Sequence, residues 1–275
     1  MDNHKRVAFI GAGNMTMAIV GGLRRAGMTG SRILAIDPDP IQLCRISDAF
    51  TVRTADEPSD ILQEMDVVVW AVKPQHMQKA TEQTAPYSSR DALHLSFAAG
   101  IRAAELTSWL SSERIVRAMP NTPAVIGEGV CGLFASNAVS MDDRKVTEMI
   151  LESTGQIFWV ESEAEINAVT AVTGSGPAYV FHFIEGIERS ALELGFNKTE
   201  AKKIVCNLVI GAARQALQDS SSLRELMERV TSAGGTTEAA LEVLEKHDTQ
   251  RAMLEATRAA FVRAIRIGEI HAKVS

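Results

Sequence analysis

The chain of 275 residues is poor in cysteine and aromatic residues, and it has no long apolar run. Its three cysteines, Cys44, Cys131 and Cys206, lie far apart in apolar surroundings and form no CxxC pair, so we expect buried thiols. The six histidines show no ligand spacing such as HExxH, and we expect no metal site. No apolar run reaches the roughly 20 residues that a membrane helix needs. The polar start MDNHKR is unlike a signal peptide.

Positive charge is not in excess either, because the net charge of the chain is −6. This balance gives no electrostatic basis for binding nucleic acid or an anionic membrane. Hydrophobic residues make up 46% of the chain, enough for one large domain or two moderate ones. We therefore expect a soluble, cytoplasmic protein.

Short apolar runs alternate with helical stretches in the first part of the chain. This alternation predicts an α/β fold with a doubly wound parallel sheet of the Rossmann type and right-handed crossovers. The predicted strands are 6–11, 32–37, 65–72, 93–98 and 114–119, with 130–136 and 155–160 closing the edge of the sheet. From residue 164 onward only helical periodicity is found, ending in one amphipathic helix at 248–273. We predict a dinucleotide-binding domain at 1–161 and an all-helical domain at 162–275.

The segment FIGAGNMTMAIVGGL, residues 9–23, has a strand, a glycine turn and a helix in that order. In a dinucleotide-binding turn, Gly11 would make the tight bend and Gly13 would let the backbone approach a pyrophosphate at the helix start. Thr16 occupies the third small position of the fingerprint and could loosen the packing of helix on strand. The alternative to dinucleotide binding is a plain strand–helix turn.

Asp37 ends the second predicted strand, where an acidic residue can bind the adenosine ribose hydroxyls. It would repel a 2′-phosphate, and the following PDP supplies no arginine, which argues for NADH. The alternative is an N-cap for the next helix, and both roles can hold at once.

Three further loops follow predicted strands at the carboxyl edge, where such sheets bind ligands: AVKPQ (71–75), FAAGI (97–101) and MPNTPAVIGEG (119–129). Turn chemistry alone is the alternative for each loop. Asn121, held between two prolines, suits contacts to a ligand, or it forms a structural Asx-turn. The predicted coenzyme residues are Gly11, Gly13, Asn14, Met15, Asp37, Ala71, Val72, Lys73, Pro74, Ala98, Ala99, Gly100 and Asn121.

Near the C-terminus, VTSAGGTTEAALEVL (230–244) places two glycines and two threonines before a helical run. Backbone N–H groups that open a helix attract an anion. A well-capped helix is the alternative, although it would need only one hydroxyl.

The segments GAGNM, AVKPQ, AAG, MPNTP, GSGPAYVF and VTSAGGTTEAALEVL, in this order, resemble pyrroline-5-carboxylate reductases along essentially the whole chain. The resemblance implies that NADPH or NADH reduces 1-pyrroline-5-carboxylate to L-proline, the last step of proline biosynthesis. It also implies an all-helical dimerisation domain, and hence a homodimer or a larger ring. Three positions depart from the family pattern: Thr16, Ala233 in place of a usual proline, and EPSD (57–60), which lacks an asparagine.

The resemblance also implies the substrate-side residues. The N–H groups of Gly234, Gly235 and Thr236 would cradle the substrate carboxylate, Ser232 would add a hydroxyl, and Asn121 and Ser175 would complete the site. Thr237 would be the catalytic residue, through a hydrogen bond to the substrate nitrogen, and Thr236 would also cap the helix.

Two other classes remain open. A β-hydroxyacid dehydrogenase has a similar build but uses a catalytic lysine, and residues 174–193 contain none. A coenzyme-sensing protein without catalytic activity would bind NAD(P)H and turn over no imine.

Overall fold

A computed structural model describes residues 5–272, with side chains described up to residue 269. Within that range, eight strands form one sheet in the order β3-β2-β1-β4-β5-β6-β7-β8. The strands are β1 (Val7–Ile10), β2 (Ile33–Ile36), β3 (Arg53–Ala55), β4 (Val67–Trp70), β5 (Leu93–Ser96), β6 (Ile115–Met119), β7 (Gly129–Ala135) and β8 (Gly155–Trp159). The order reverses between β1 and β4, as in Rossmann sheets. The predicted α/β Rossmann-type fold is confirmed.

Strand direction differs from the prediction at one edge. Strands β1 to β6 are parallel, but β7 runs antiparallel to β6, and β8 is parallel to β7. The reason is the short connection at residues 120–128, because a parallel crossover needs a dozen or more residues. Strand β3 was not predicted. It has only three residues, none of them fully buried, and so no apolar run.

The described helices are α1 (Asn14–Arg25), α2 (Pro40–Phe50), α3 (Pro74–Thr84), α4 (Ala103–Leu110), α5 (Met141–Leu151), α6 (Glu165–Val169), α7 (Gly176–Glu193), α8 (Lys198–Gln218), α9 (Leu223–Arg229), α10 (Thr236–Lys246) and α11 (Thr249–Ala272). After β8, the part of the chain that is described is helical and contains no strand, as predicted. Helix α11 confirms the long C-terminal helix; Lys273, the last residue of the prediction, lies outside the described residues. None of the helices up to residue 272 is long and apolar enough to cross a membrane.

The sheet is buried on both faces. Alternate residues of a strand point to opposite faces, and accordingly Val7 and Phe9 of β1 join one apolar core while Ala8 and Ile10 join the other. Burial on both sides explains why the central strands read as continuous apolar runs.

The chain divides into two compact units. The first unit contains the residues up to Ser175 together with those from Ala259 onward, and the second unit is Gly176–Arg258. The C-terminal half of α11 thus belongs to the same unit as the sheet. The domain limits 1–161 and 162–275 stay a prediction.

The cysteines only partly follow the expectation. Cys131 is buried, and its burial raises the pKa of the thiol to about 12, so it stays protonated. Cys206 is half-buried and Cys44 is exposed, so the prediction of a buried thiol is wrong for Cys44. Helix α2 turns Leu43 and Ile46 toward the core, which leaves Cys44 on its outer face.

His94 on β5 makes the stability of the fold depend on pH. Its side chain is fully buried, and its Nδ1 accepts a hydrogen bond from Trp70 Nε1 at 3.2 Å. Burial, with a smaller contribution from Arg114, lowers the pKa of His94 from 6.5 to about 4. In the unfolded chain the imidazole takes up a proton near pH 6.5, whereas in the folded chain it does so only near pH 4. Stability contributed by the neutral form is therefore present above pH 6.5 and is lost as pH falls toward 4.

We expect the free energy of unfolding to fall by about 2 kcal/mol between pH 7 and pH 5 because of this group. Urea unfolding of the wild type and of His94→Asn at both pH values measures the effect. His94→Asn keeps a side-chain acceptor for Trp70. Between pH 7 and pH 5 its free energy of unfolding should therefore fall by about 2 kcal/mol less than that of the wild type. An equal pH dependence in the two proteins would show that His94 is not the group responsible.

Candidate active site

The glycine turn after β1 leaves room for a ligand. Gly11 has φ +101°, and a Cβ added there would lie 2.7 Å from the carbonyl oxygen of Ala71, so only glycine fits this close approach. Gly13, at the N-cap of α1, has open space where a side chain would be, and no side chain caps the helix. The first N–H groups of a helix lack intrahelical acceptors. Together these features fit the pyrophosphate of a dinucleotide.

Thr16 does not loosen this turn. Its side chain is fully buried, and its Oγ1 donates to the carbonyl oxygen of Gly11 at 2.6 Å. The hydroxyl thus links the first turn of α1 to the glycine bend, and the departure from the fingerprint is accommodated.

Asp37 points at the glycine turn. Its Oδ2 accepts the N–H of Ala12 at 2.7 Å, and its Oδ1 accepts the N–H of Asp39 at 2.9 Å. Asp39, which accepts the N–H of Ile41, is the N-cap of α2, so the N-cap alternative for Asp37 is wrong. The carboxylate lies where β1 and β2 end side by side, the position that a ribose contact requires.

Arg45 is a residue of this site that the sequence did not indicate. It lies on α2, and its Nη1 donates to Asn14 Oδ1 at 3.0 Å, which places a guanidinium beside the first residue of α1. The residues that directly follow β2, 37–40, contain no arginine. No local pattern could have revealed the contact, because it joins two helices.

The other predicted coenzyme loops follow β4 and β5. Lys73 is exposed at the N-cap of α3, and Pro74 is the first residue of that helix. After β5, Phe97 donates its N–H to the carbonyl oxygen of Trp70 at 3.0 Å, which holds the two loops side by side. Gly100 has φ +77°, and a Cβ there would collide with Ile267 of α11. The structure thus brings together the loops that follow β1, β2, β4 and β5.

Asn121 follows β6 and is buried. Its Oδ1 accepts the N–H of Val130 at 2.9 Å, and its Nδ2 donates to the carbonyl oxygen of Thr173 at 3.0 Å. Both ends of the amide are therefore engaged by backbone groups. These are long-range contacts rather than the Asx-turn that was the alternative.

Ser175 stands at the end of a widened helical turn. Residues Thr170–Gly174 form a π-helical turn, and the N–H of Ser175 donates to the carbonyl oxygen of Thr170 at 2.9 Å. The predicted break at GSGP (174–177) thus begins at the last residue of the π-turn, and Ser175 separates that turn from α7, which starts at Gly176.

The second unit holds the segment SAGGTT at the start of α10. Gly234 has φ +71°, and a Cβ on Gly235 would lie 2.5 Å from Ser232 Oγ, which explains the glycine pair locally. Gly235 is the N-cap, and no side chain caps the helix, so the predicted capping role of Thr236 is wrong. Thr236 is instead the first helical residue, and Thr237, half-buried, is the second.

Two of the three predicted cradle N–H groups are already used within this segment. The N–H of Gly234 donates to Glu238 Oε2 at 2.6 Å, and that of Gly235 donates to the carbonyl oxygen of Ser232 at 2.9 Å. The N–H groups of Thr236 and Thr237 lie in the first turn of α10, where a helix offers no internal acceptor. The partners of Gly234 and Gly235 contradict their predicted part in the cradle, and the N–H groups at Thr236 and Thr237 are the ones that the start of α10 offers to an acceptor.

Two family models match the chain. Residues 163–267 match the family described as "Pyrroline-5-carboxylate reductase dimerisation", and residues 6–100 match "NADP oxidoreductase coenzyme F420-dependent". The first match covers the predicted substrate-side segment, and the second covers the glycine turn and the loops after β2, β4 and β5.

Relatives and solved structures match this chain along almost its whole length. The pyrroline-5-carboxylate reductase of Pseudomonas aeruginosa is 38% identical over 96% of this chain and 97% of its own. The solved structure of a pyrroline-5-carboxylate reductase from Coxiella burnetii superposes with a TM-score of 0.88 at 36% identity, covering 96% of this chain and 98% of that one. The Plasmodium falciparum pyrroline carboxylate reductase with NADP bound gives a TM-score of 0.86 at 26% identity, covering 97% and 99%. The chain belongs to the pyrroline-5-carboxylate reductase family.

Proposed function

We propose that this protein reduces 1-pyrroline-5-carboxylate to L-proline with NADPH or NADH, the last step of proline biosynthesis, in the cytoplasm. The observation that carries the proposal is the open glycine turn at the start of α1, faced by the carboxylate of Asp37, in a chain whose full-length relatives are named for this reaction. Fold analogy alone would not distinguish reductases of similar build.

The coenzyme would lie along the carboxyl ends of the strands. The first N–H groups of α1, reached past Gly11 and Gly13, would hold the pyrophosphate, and Asp37 would hold the adenosine ribose. When bound, the reduced nicotinamide supplies a hydride. The remaining residues assigned to the coenzyme are those of the adjoining loops: Asn14, Met15, Ala71, Val72, Lys73, Pro74, Ala98, Ala99 and Gly100.

The substrate is a cyclic imine that carries a carboxylate. The first-turn N–H groups of α10, at Thr236 and Thr237, would hold the carboxylate, with Ser232 adding its hydroxyl. The Thr237 hydroxyl would donate a hydrogen bond to the ring nitrogen while the imine carbon accepts the hydride. The nitrogen would then take up one proton, which solvent supplies, and become the secondary amine of proline. The protein acts chiefly by orientation, which can lower a barrier by roughly 7–11 kcal/mol.

The helical part supports self-association in this proposal. Residues 162–275 would form a substrate-binding and dimerisation domain, and residues 1–161 would form the coenzyme domain. Pairing of two such domains would give a homodimer or a larger ring, with the active site shared between subunits.

The proposal is tested by following coenzyme oxidation after addition of 1-pyrroline-5-carboxylate, with NADH and NADPH compared. Turnover with proline as product is expected with both coenzymes. Coenzyme binding without turnover would favour a coenzyme-sensing protein. Turnover only with a hydroxy or keto acid would favour the β-hydroxyacid dehydrogenase class.

Asp37 is expected to limit the use of NADPH. Its carboxylate faces the place of the adenosine ribose and repels a 2′-phosphate, whereas Arg45 beside Asn14 attracts one, so both coenzymes should work. Asp37→Ser should raise the ratio of kcat/KM for NADPH to that for NADH at least ~5-fold, since repulsion between unit charges a few ångströms apart is worth about 1 kcal/mol or more. Asp39→Ser is the matched control, because Asp39 caps α2, and its ratio should not change. An unchanged ratio in Asp37→Ser would refute the ribose role.

A further inference from the structure

The helix that leads from the sheet into the helical part is interrupted by a π-turn. Helix α6 ends at Val169, Thr170–Gly174 form the π-turn, and α7 begins at Gly176. Single π-turns inside α-helices are rare, and those that occur are often found at functional sites. Ser175, which the family resemblance implies as a substrate residue, follows this turn directly.

Pro177 explains why the π-turn needs outside support. In a regular helix, the carbonyl of Thr173 accepts the N–H of the residue four positions later, which here is Pro177 and has no N–H. Asn121 supplies the missing donor, because its Nδ2 lies 3.0 Å from the carbonyl oxygen of Thr173. The other end of the same amide accepts the N–H of Val130 at 2.9 Å. The Asn121 side chain is thus a bridge from the start of β7 to the π-turn.

Close packing holds the same segment at two more places. A Cβ on Gly174 would lie 2.9 Å from Met119 Cε, and a Cβ on Gly132 would lie 2.7 Å from Val169 Cγ1. The end of β6 and the middle of β7 therefore touch the segment 169–174 without room for another atom. Asn121 itself is only 8% exposed, so its hydrogen bonds are shielded from water.

We propose that Asn121 is a positioning residue, which fixes the π-turn and thereby Ser175 against the carboxyl end of β6. It replaces the ligand contact that the sequence suggested for this side chain. The inference rests on the proposed function, since Ser175 matters only if the substrate lies beside it. A displacement of about 1 Å at a reacting centre can cost 100-fold in rate, and loss of this bridge should act in that way.

The test is Asn121→Asp, alone and combined with Pro177→Ala. Aspartate keeps an acceptor for Val130 but places an oxygen against the carbonyl of Thr173. We expect kcat for 1-pyrroline-5-carboxylate to fall about 10- to 100-fold, while the Kd for coenzyme, measured by fluorescence titration, changes less than threefold. Pro177→Ala returns an N–H to the helix, and the double variant should regain at least tenfold of the lost kcat. Pro177→Ala alone should keep kcat within threefold of the wild type.

Several results would overturn the inference. Wild-type kcat in Asn121→Asp would show that the bridge does not matter for the reaction. A Kd for coenzyme raised tenfold or more would make Asn121 a coenzyme contact. No recovery in the double variant would show that the role does not pass through the Thr173 carbonyl. If Asn121→Asp does not fold, Asn121→Ser takes its place, because its hydroxyl is too short to reach Thr173 and the same pattern is expected. Absence of turnover in the wild type, in contrast, contradicts the proposed function itself.

Discussion

Replacing Thr237 by valine is expected to lower kcat/KM for 1-pyrroline-5-carboxylate by about 10- to 150-fold. Valine keeps the shape of threonine and removes the hydroxyl that would donate to the substrate nitrogen. A lost hydrogen bond to a group that carries or develops charge is worth about 1.5–3 kcal/mol, which converts to this range of rates. The half-buried position of Thr237 in the first turn of α10 shields such a bond. Steady-state kinetics at saturating coenzyme measure the effect.

Coenzyme affinity should hardly change in Thr237→Val, because the glycine turn and Asp37 are untouched. The matched control is Thr249→Val. Thr249, in the second unit, is also the first residue of a helix, but its hydroxyl donates to the carbonyl oxygen of Leu244. Loss of this hydroxyl should leave kcat/KM near the wild-type value. Folded Thr237→Val with wild-type kcat/KM would remove Thr237 from the mechanism. Weakened coenzyme binding would instead show that the first turn of α10 contacts the coenzyme rather than the substrate.

A charge on the apolar stripe of α7 is expected to separate the subunits and abolish most of the activity. Val180, Phe183 and Ile187 follow helical spacing on α7, and each is more than 40% exposed. A helical domain of this size buries a smaller fraction of its surface than a large domain does, so it gains less stability from its own core. An apolar stripe on its outside therefore indicates a surface that a second subunit covers. We expect light scattering to show a dimer or larger assembly for the wild type. Phe183→Arg should shift it toward monomer, with kcat/KM at least ~100-fold lower, because arginine cannot be buried in an apolar contact without a partner.

Met141→Arg is the control for this experiment. Met141 is an equally apolar and even more exposed residue, 69% exposed at the start of α5 in the first unit. Its replacement should change neither the oligomeric state nor the rate. A wild-type protein that is monomeric at micromolar concentration and fully active would contradict both the dimer and the shared site.

Much of this molecule was predictable because the signals are local. Strands β1, β2 and β4 are each four apolar residues, all of them buried, and such continuous apolar runs can be seen in the sequence alone. The glycine turn was equally visible, since Gly11 must adopt a positive φ beside Ala71, and only glycine does so without strain. The helical character of the chain after Trp159 also followed from short-range periodicity.

Other features depend on groups that are distant in sequence. The carboxylate of Asp37 bonds Ala12, Arg45 reaches Asn14, and no pattern in either segment announces its partner. The direction of β7 was also not predicted, because the length of its connection to β6 decides it. Thr236 is not the N-cap of α10, because the helix begins at Thr236 itself, one residue earlier than a capping role would require. Hydrogen-bond partners of buried groups are settled only when the chain folds around them.

The amino-acid sequence by itself determined the central strands, the glycine turn and the helical character of the second part of the chain, because these follow from spacing along the chain. The motifs, in their order, also indicated the family. The tertiary structure alone decided what Asn121 does. In the sequence it is an amide between two prolines, equally suited to a ligand or a turn. In the fold its two ends are taken by Val130 and Thr173. The carbonyl of Thr173 would pair in a helix with the nitrogen of Pro177, which has no hydrogen, so it needs a donor from elsewhere. Only the packing of the end of β6 against the π-turn brings the Asn121 amide within reach.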